Sequence, residues 1–216
     1  NLSTTQVAAL STEQVNLGLS TAQVAVMQTA DLVKLDTAQI RALTTAQIRA
    51  LSTDVQVPAL LSTQINAMTT TQVAGLTSAA VRALSTTQLA AMETADVAVL
   101  NSTNLAALSS VQVQALTTAQ IVGLTTKQIS DLNTVTLQAL SAKQITALET
   151  GDLSLLGSSK ITSLSSAQIR ALTTAQIVEL TTAQLSSLGS SILSGLQSSQ
   201  MSALSTDRLN NLASTT

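Results

Sequence analysis

The sequence has no cysteine, histidine, phenylalanine, tyrosine or tryptophan, a single proline and only seven glycines in 216 residues. Without cysteine and histidine there is no disulfide, no soft metal site, no thiol nucleophile and no imidazole base, which removes the commonest hydrolase and zinc chemistries. A chain of this length ordinarily builds its core on aromatic anchors, so any core here is aliphatic. Charge is scarce as well: nine Lys and Arg against eleven Asp and Glu give a net charge of −2. That leaves no basic stripe for a phosphate backbone, and nucleic acid is not an expected partner. Mean hydropathy is positive, yet Ser, Thr, Gln or a charge interrupts every apolar run well short of the roughly 18 residues a membrane span needs, so no membrane span is expected. The opening residues NLSTTQVAAL carry no methionine, basic segment or apolar signal core, which reads as a segment of a longer chain. The absence of cysteine fits a reducing cytosol or a large exported bacterial protein.

What is present is a repeat of eight residues. Its clearest copies are LDTAQIRA at 35–42, LTTAQIRA at 43–50, LTTAQIVG at 116–123 and LTTAQIVE at 172–179. Taking the leading Leu as position one, about 27 octads follow one another through residues 1–216 as a single continuous array; Met27, Met68 and Met92 are the only substitutes for that Leu. Two one-residue insertions shift the phase. One lies near Leu17 and Gly18, and the other, between Leu51 and Leu60, contains Val55 and Pro58.

Position six is aliphatic throughout, as in Val7, Val15, Ile121, Ile145 and Ile177, so each octad carries two large apolar groups. The expected core therefore includes Leu43, Ile48, Leu51, Leu116, Ile121, Leu124, Leu172, Ile177 and Leu180. Position eight is usually Ala (Ala42, Ala50, Ala83), which suggests close contact, whereas Lys34, Asp131, Leu155 and Glu179 mark turns that are open there. Position seven takes Arg41, Arg49, Arg82, Arg170, Asn66 and Gln114 indifferently and is expected to face solvent. The bulky residues Asp131, Leu155 and Glu179 recur at 24, a hint of three octads per superhelical turn.

Positions two to five carry the local signal. Thr-x-x-Gln is a capping box: the hydroxyl accepts the N–H three residues on, and the Gln side chain returns to the N–H of the cap itself. Thr44 with Gln47, Thr117 with Gln120 and Thr173 with Gln176 are the expected cap pairs, and the flanking Leu and Ile add a hydrophobic staple. Position three is Ser or Thr almost everywhere, so the cap could sit at either the second or the third position. A continuous helix fails on angle, because eight residues at roughly 100° each leave a drift near 80° per octad. The expected fold is all-α: a solenoid of very short capped helices, one per octad. A β-solenoid is the alternative, favoured by Thr, Val and Ile but short of Gly and Pro for its corners.

No catalytic, cofactor-binding or metal-binding residues are expected, and the chain is not read as an enzyme. Gln28 with Asp31, Glu93 with Asp96 and Glu149 with Asp152 depart from the usual pattern; acids in a first helical turn suit the helix dipole, and one pair supplies too few oxygens for calcium. Arg41, Arg49, Arg82 and Arg170 are too scattered for phosphate recognition. The pattern Asn-x-Ser/Thr at Asn1 and Asn101 is common by chance in so Ser/Thr-rich a chain.

The runs LDTAQIRALTTAQIRAL at 35–51 and LSSAQIRALTTAQIVELTTAQL at 164–185 resemble the TTAQI-type short repeats of very large, repetitive bacterial exoproteins described as adhesin-, haemagglutinin- or haemolysin-like. The resemblance spans the chain and carries no functional residue with it. It implies an extracellular or cell-surface location and a structural or adhesive role. The expected function is a rigid repeat solenoid that self-associates into a fibre, sheath or adhesin stalk. The alternative is a module whose regular Ser/Thr face holds a polysaccharide or an ice surface.

Overall fold

The structure, a computed structural model, describes residues 3–206 and 208–209. The anchors Leu2 and Leu212 and the Asn1 acceptor pattern lie outside the described residues. Among those residues the secondary structure is helical, without a strand, and almost every helix has four to six residues. Such helices are far below the length that holds in water by itself, so each depends on its neighbours. The β-solenoid alternative is thereby set aside.

Each octad follows one plan. In the copy at 43–50, Leu43 (φ −58°, ψ 135°) closes the preceding helix and Thr44 (φ −71°, ψ 158°) caps the next, which runs Thr45–Ala50. The cap is thus at position two. The corner is two consecutive extended residues, and no described residue has positive φ, which is why an array with so few glycines can turn so often.

The chain divides into two compact units, Asn1–Leu116 and Thr117–Thr216. Within each, a helix packs on the third helix along. In the first unit, Thr37–Ala42 lies on Ser62–Asn66, and Ser62–Asn66 on Thr86–Ala91; in the second, Thr118–Val122 lies on Ala142–Ala147, and that on Ser166–Ala171. Three octads therefore make one turn, as the recurrence at 24 hinted. Both units are α-solenoids with a thin aliphatic core fed by positions one and six.

The two insertions are absorbed without loss of phase. Around Leu17 the helix widens into a π-helical turn, Gln14–Gly18, which takes up one extra residue and keeps Val15 buried. In the second, the extra residue lengthens the step from cap to helix: Ser52 accepts from Gln56 N on its hydroxyl and from Val57 N on its carbonyl. Pro58 sits in the first turn of the four-residue helix Gln56–Ala59, where a missing N–H leaves no helical bond unmade.

Candidate functional site

Every expected core residue is buried: Leu43, Ile48, Leu51, Leu116, Ile121, Leu124, Leu172, Ile177 and Leu180 are all at most 8% exposed. The three cap pairs form as well. Thr44, Thr117 and Thr173 accept from the backbone N–H of Gln47, Gln120 and Gln176 at 3.1–3.2 Å. The Gln Oε1 atoms in turn accept from the cap N–H at 2.6, 2.8 and 2.9 Å.

The position-five Gln has a second partner that the capping box does not require. It is buried in turn after turn (Gln39, Gln47, Gln64, Gln72, Gln88, Gln176, Gln184), and its Nε2 donates to two main-chain carbonyls of the turn before. Gln72 reaches Ile40 O at 2.8 Å and Leu43 O at 2.6 Å; Gln176 reaches Ile145 O at 2.9 Å and Leu148 O at 2.8 Å. Gln47 does the same to Val15 and Leu19. Of each pair, the last-turn carbonyl (Ile40 O, Ile145 O) also accepts from the C-cap N–H of Leu43 or Leu148, at 3.2 and 3.3 Å, whereas the anchor carbonyl (Leu43 O, Leu148 O) lies past the helix, where the amide is its donor. One amide therefore caps its own helix with its oxygen and closes the C-terminus of the helix beneath with its nitrogen. This is the ladder that joins turn to turn, and each rung lies beside the aliphatic core in a low-dielectric setting where an unfilled carbonyl is costly.

Sequence reasoning found only the capping half. The overlooked signal is that position five is never Glu, although a capping box accepts Glu as readily as Gln. A side chain that accepts and donates at once makes both halves of the rung, which Gln does and Glu does not.

Position seven is exposed as expected, but it is not merely solvated. Arg41 Nε donates to Ala67 O at 3.0 Å and Arg49 Nε to Gly75 O at 2.6 Å, while Asn66 and Gln138 reach Ala91 O and Ser163 O. These bonds cross to the following turn on the outside, parallel to the inner ladder. Arg82 and Arg170 are exposed. Position eight is half-buried at Ala42, Ala50 and Ala83 and buried at Ala67 and Ala139, and Leu155 there is 44% exposed, in keeping with an open turn. Gly75 stands where a methyl would not fit, since a Cβ would fall 2.1 Å from Thr45 Cγ2.

The acid pairs fall on the ladder. Asp31, Asp96 and Asp152 occupy position five, and Gln28, Glu93 and Glu149 are caps whose side chains make no cap bond. Asp96 is 3% exposed and Asp152 9%. Burial raises the pKa of each; the neighbouring Glu93 or Glu149 carboxylate raises it further, and a hydrogen bond to the backbone of that same residue opposes the rise. Among the described residues no three metal-capable side chains come together, and no helix is long and apolar enough to cross a membrane.

Compared with known families, the chain matches the ALTTAQ repeat over residues 24–60, 89–126 and 145–182, together just over half of its length. The chain belongs to the ALTTAQ-repeat family. No curated protein matches it. The three matched ALTTAQ stretches hold the rungs Gln39, Gln47, Gln56, Gln112, Gln168 and Gln176, so the family pattern and the ladder coincide in these residues. In structural terms the family's A-L-T-T-A-Q contains the half-buried Ala, the core Leu, the cap, and the Gln rung.

Proposed function

We propose that this ALTTAQ-repeat chain is a structural protein of the cell exterior, a stiff solenoid that self-associates into a fibre, sheath or adhesin stalk. The observation that carries this reading is the ladder. Within each unit, turn is joined to turn by buried amides that donate to carbonyls on the neighbouring turn, so load along a unit passes through hydrogen bonds reinforced by an aliphatic core. The octads differ little in the groups they expose, and a sequence without histidine or cysteine offers few groups for acid–base or nucleophilic chemistry, which is why we do not read the chain as an enzyme. Low charge permits close approach of like chains. The exterior location rests on the resemblance to repetitive exoproteins.

The test is negative-stain electron microscopy with sedimentation velocity on the purified chain over a concentration series at neutral pH. Growth into uniform filaments or bundles with concentration is expected. A single monomeric species throughout would remove self-association from the reading.

The reading in which a Ser/Thr face holds a polysaccharide or ice draws less support. Position-two hydroxyls are taken up as helix caps, which leaves the exposed row to position three alone.

A further inference from the structure

The ladder depends on what position five donates, and in each unit that position changes character over one short stretch. Ala80 carries no polar group, and the Thr136 hydroxyl stands two atoms nearer its own backbone than a Gln amide nitrogen. Asn104 reaches a single anchor carbonyl, Leu76 O at 3.1 Å, and Lys160 donates to Ser130 O. Between these stand the buried Asp96 and Asp152. The arrangement occurs in both units, because Ala80, Asp96 and Asn104 are matched seven octads later by Thr136, Asp152 and Lys160. Each Asp carboxylate accepts the backbone N–H of its cap residue, Glu93 or Glu149, as the Gln Oε1 does in a complete rung. The planar carboxyl then sets its second oxygen where the amide nitrogen of a Gln would stand. The offsets of 31 and 28 residues seen for Gln176 put Ile65 O and Met68 O beneath Asp96, and Ile121 O and Leu124 O beneath Asp152. Asn104, equal in length to Asp, shows that so short a side chain at this position reaches the anchor carbonyl.

We propose that Asp96 and Asp152 are proton-operated rungs, so that each unit carries a joint that tightens in acid, at helices Thr94–Ala98 and Thr150–Ser154. As neutral acids they donate Oδ–H to Met68 O and Leu124 O and close the ladder. As carboxylates they set acceptor against acceptor and leave the turn open. The inference stands apart from self-association, since both joints lie inside the monomer. Thr70–Ala74, which packs on Thr94–Ala98, has no titratable residue, nor have the flanking helices Thr86–Ala91 and Ser102–Ala106. Thr126–Asp131 and Thr174–Glu179 pack on Thr150–Ser154; their Lys127, Asp131 and Glu179 are exposed, and Lys127 is paired with Asp131 at 2.8 Å. The helices flanking Thr150–Ser154 in sequence add Lys143, which is exposed, and Lys160, which is spent on Ser130 O. Burial, and after it the carboxylate of Glu93 or Glu149, raises the pKa of each Asp. The folded chain therefore holds these protons more tightly than the unfolded one, and the joint closes as pH falls through the raised value. Gln and Lys rungs donate on both sides of that range, which confines the response to the two Asp turns.

The experiment is hydrogen exchange read by mass spectrometry on the full chain, over a pH series from neutral into mild acid. Rates are expressed as protection, so that the intrinsic pH dependence of exchange drops out. Protection of Thr94–Ala98 and Thr150–Ser154 should rise roughly tenfold in acid, the worth of one closed hydrogen bond. Thr45–Ala50 and Ser166–Ala171, whose rungs are Gln47 and Gln168, should keep theirs. The double variant Asp96→Asn, Asp152→Asn places a donor of equal length at every pH. Its two helices should show the acid level of protection already at neutral pH, and no response to acid. The double variant Glu93→Gln, Glu149→Gln leaves both rungs in place and removes the neighbouring carboxylates; the response should persist with its midpoint moved to lower pH. Protection of the two helices that is independent of pH in the unmodified chain would overturn the proposal. So would an acid response that survives in the Asn variant or vanishes in the Gln variant. Should circular dichroism show that the Asn variant does not fold, the unmodified chain and the Gln variant decide between the same outcomes.

Discussion

At the scale of single residues, the array discriminates between side chains of nearly equal size by what they donate. Gln72 and Gln176 each fill two carbonyls with one amide nitrogen. Replacing either by Glu keeps the cap and the shape but sets a buried carboxylate against those carbonyls. A loss of about 2–4 kcal/mol at neutral pH is expected, partly recovered in acid as the carboxyl protonates and can donate. Denaturant unfolding at two pH values checks it, and a Glu variant as stable as the parent at neutral pH would contradict the donor role. Asp96 and Asp152 are the natural converse. Their pKa values are raised, first by burial, so the folded chain holds those protons more tightly than the unfolded one. The stability this provides is present in acid, below the ordinary carboxylate range, and is lost as pH rises through the raised value. Asp96→Gln should therefore stabilise the chain at neutral pH by about 1–2 kcal/mol, with the gain shrinking in acid, because the longer amide can reach the carbonyls of Ile65 and Met68 that the register places beneath it.

Two further residues are measurable at the same scale. Arg49 makes an exposed hydrogen bond to Gly75 O, so Arg49→Ser should cost about 0.5–1.5 kcal/mol rather than nothing. Gly75→Ala should destabilise by about 1–3 kcal/mol through contact with the Thr45 methyl. If that contact is the cause, combining Gly75→Ala with Thr45→Ser recovers most of the loss, and additive effects in the double-mutant cycle would rule it out.

At the scale of the element, the helix is too short to be a unit of stability. Thr174–Glu179 has six residues and persists because Ile177 is fully buried and because helices Thr150–Ser154 and Ser198–Ala203 pack on either side. Ile177→Asp places an unpaired charge in that core. Hydrogen exchange should show all three helices losing protection together while Thr118–Val122, on another column of the same unit, keeps its own. Uniform loss across the unit would mean that the turns are more tightly coupled than neighbour-to-neighbour contacts provide. The same local economy explains the insertions: the π-helical turn at Gln14–Gly18 and the stretched cap at Ser52 each take up one residue within a single octad, and the next rung forms normally.

At the scale of the whole molecule, each unit is a sum of like turns with contacts only between neighbours, so its stability is a sum of turn and interface terms rather than the property of one core. Exchange protection within a unit should rise from outer turns inward. Single-octad changes such as Gly75→Ala should leave the melting of distant turns in place and broaden the transition, which calorimetry would record as a van't Hoff enthalpy below the calorimetric one.

The octad by itself determined the helix, its cap, and the two core positions. Those are local matters, decided by which hydroxyl can reach which N–H three residues away and by which apolar groups recur in phase, and Leu43, Thr44, Gln47 and Ile48 show all of them within six residues. It also left a trace of the turn size in Asp131, Leu155 and Glu179, because residues that share an outward-facing column recur at the turn length. Only the tertiary structure decided that the cap is the second residue rather than the third, that Arg41 and Arg49 reach a neighbouring turn, and that the buried Gln joins the turns. The cap position is a local choice between two hydroxyls that the octad leaves open, but the other two facts depend on carbonyls roughly 30 residues away in sequence, which no octad contains and which come within reach only when the third helix is laid against the first.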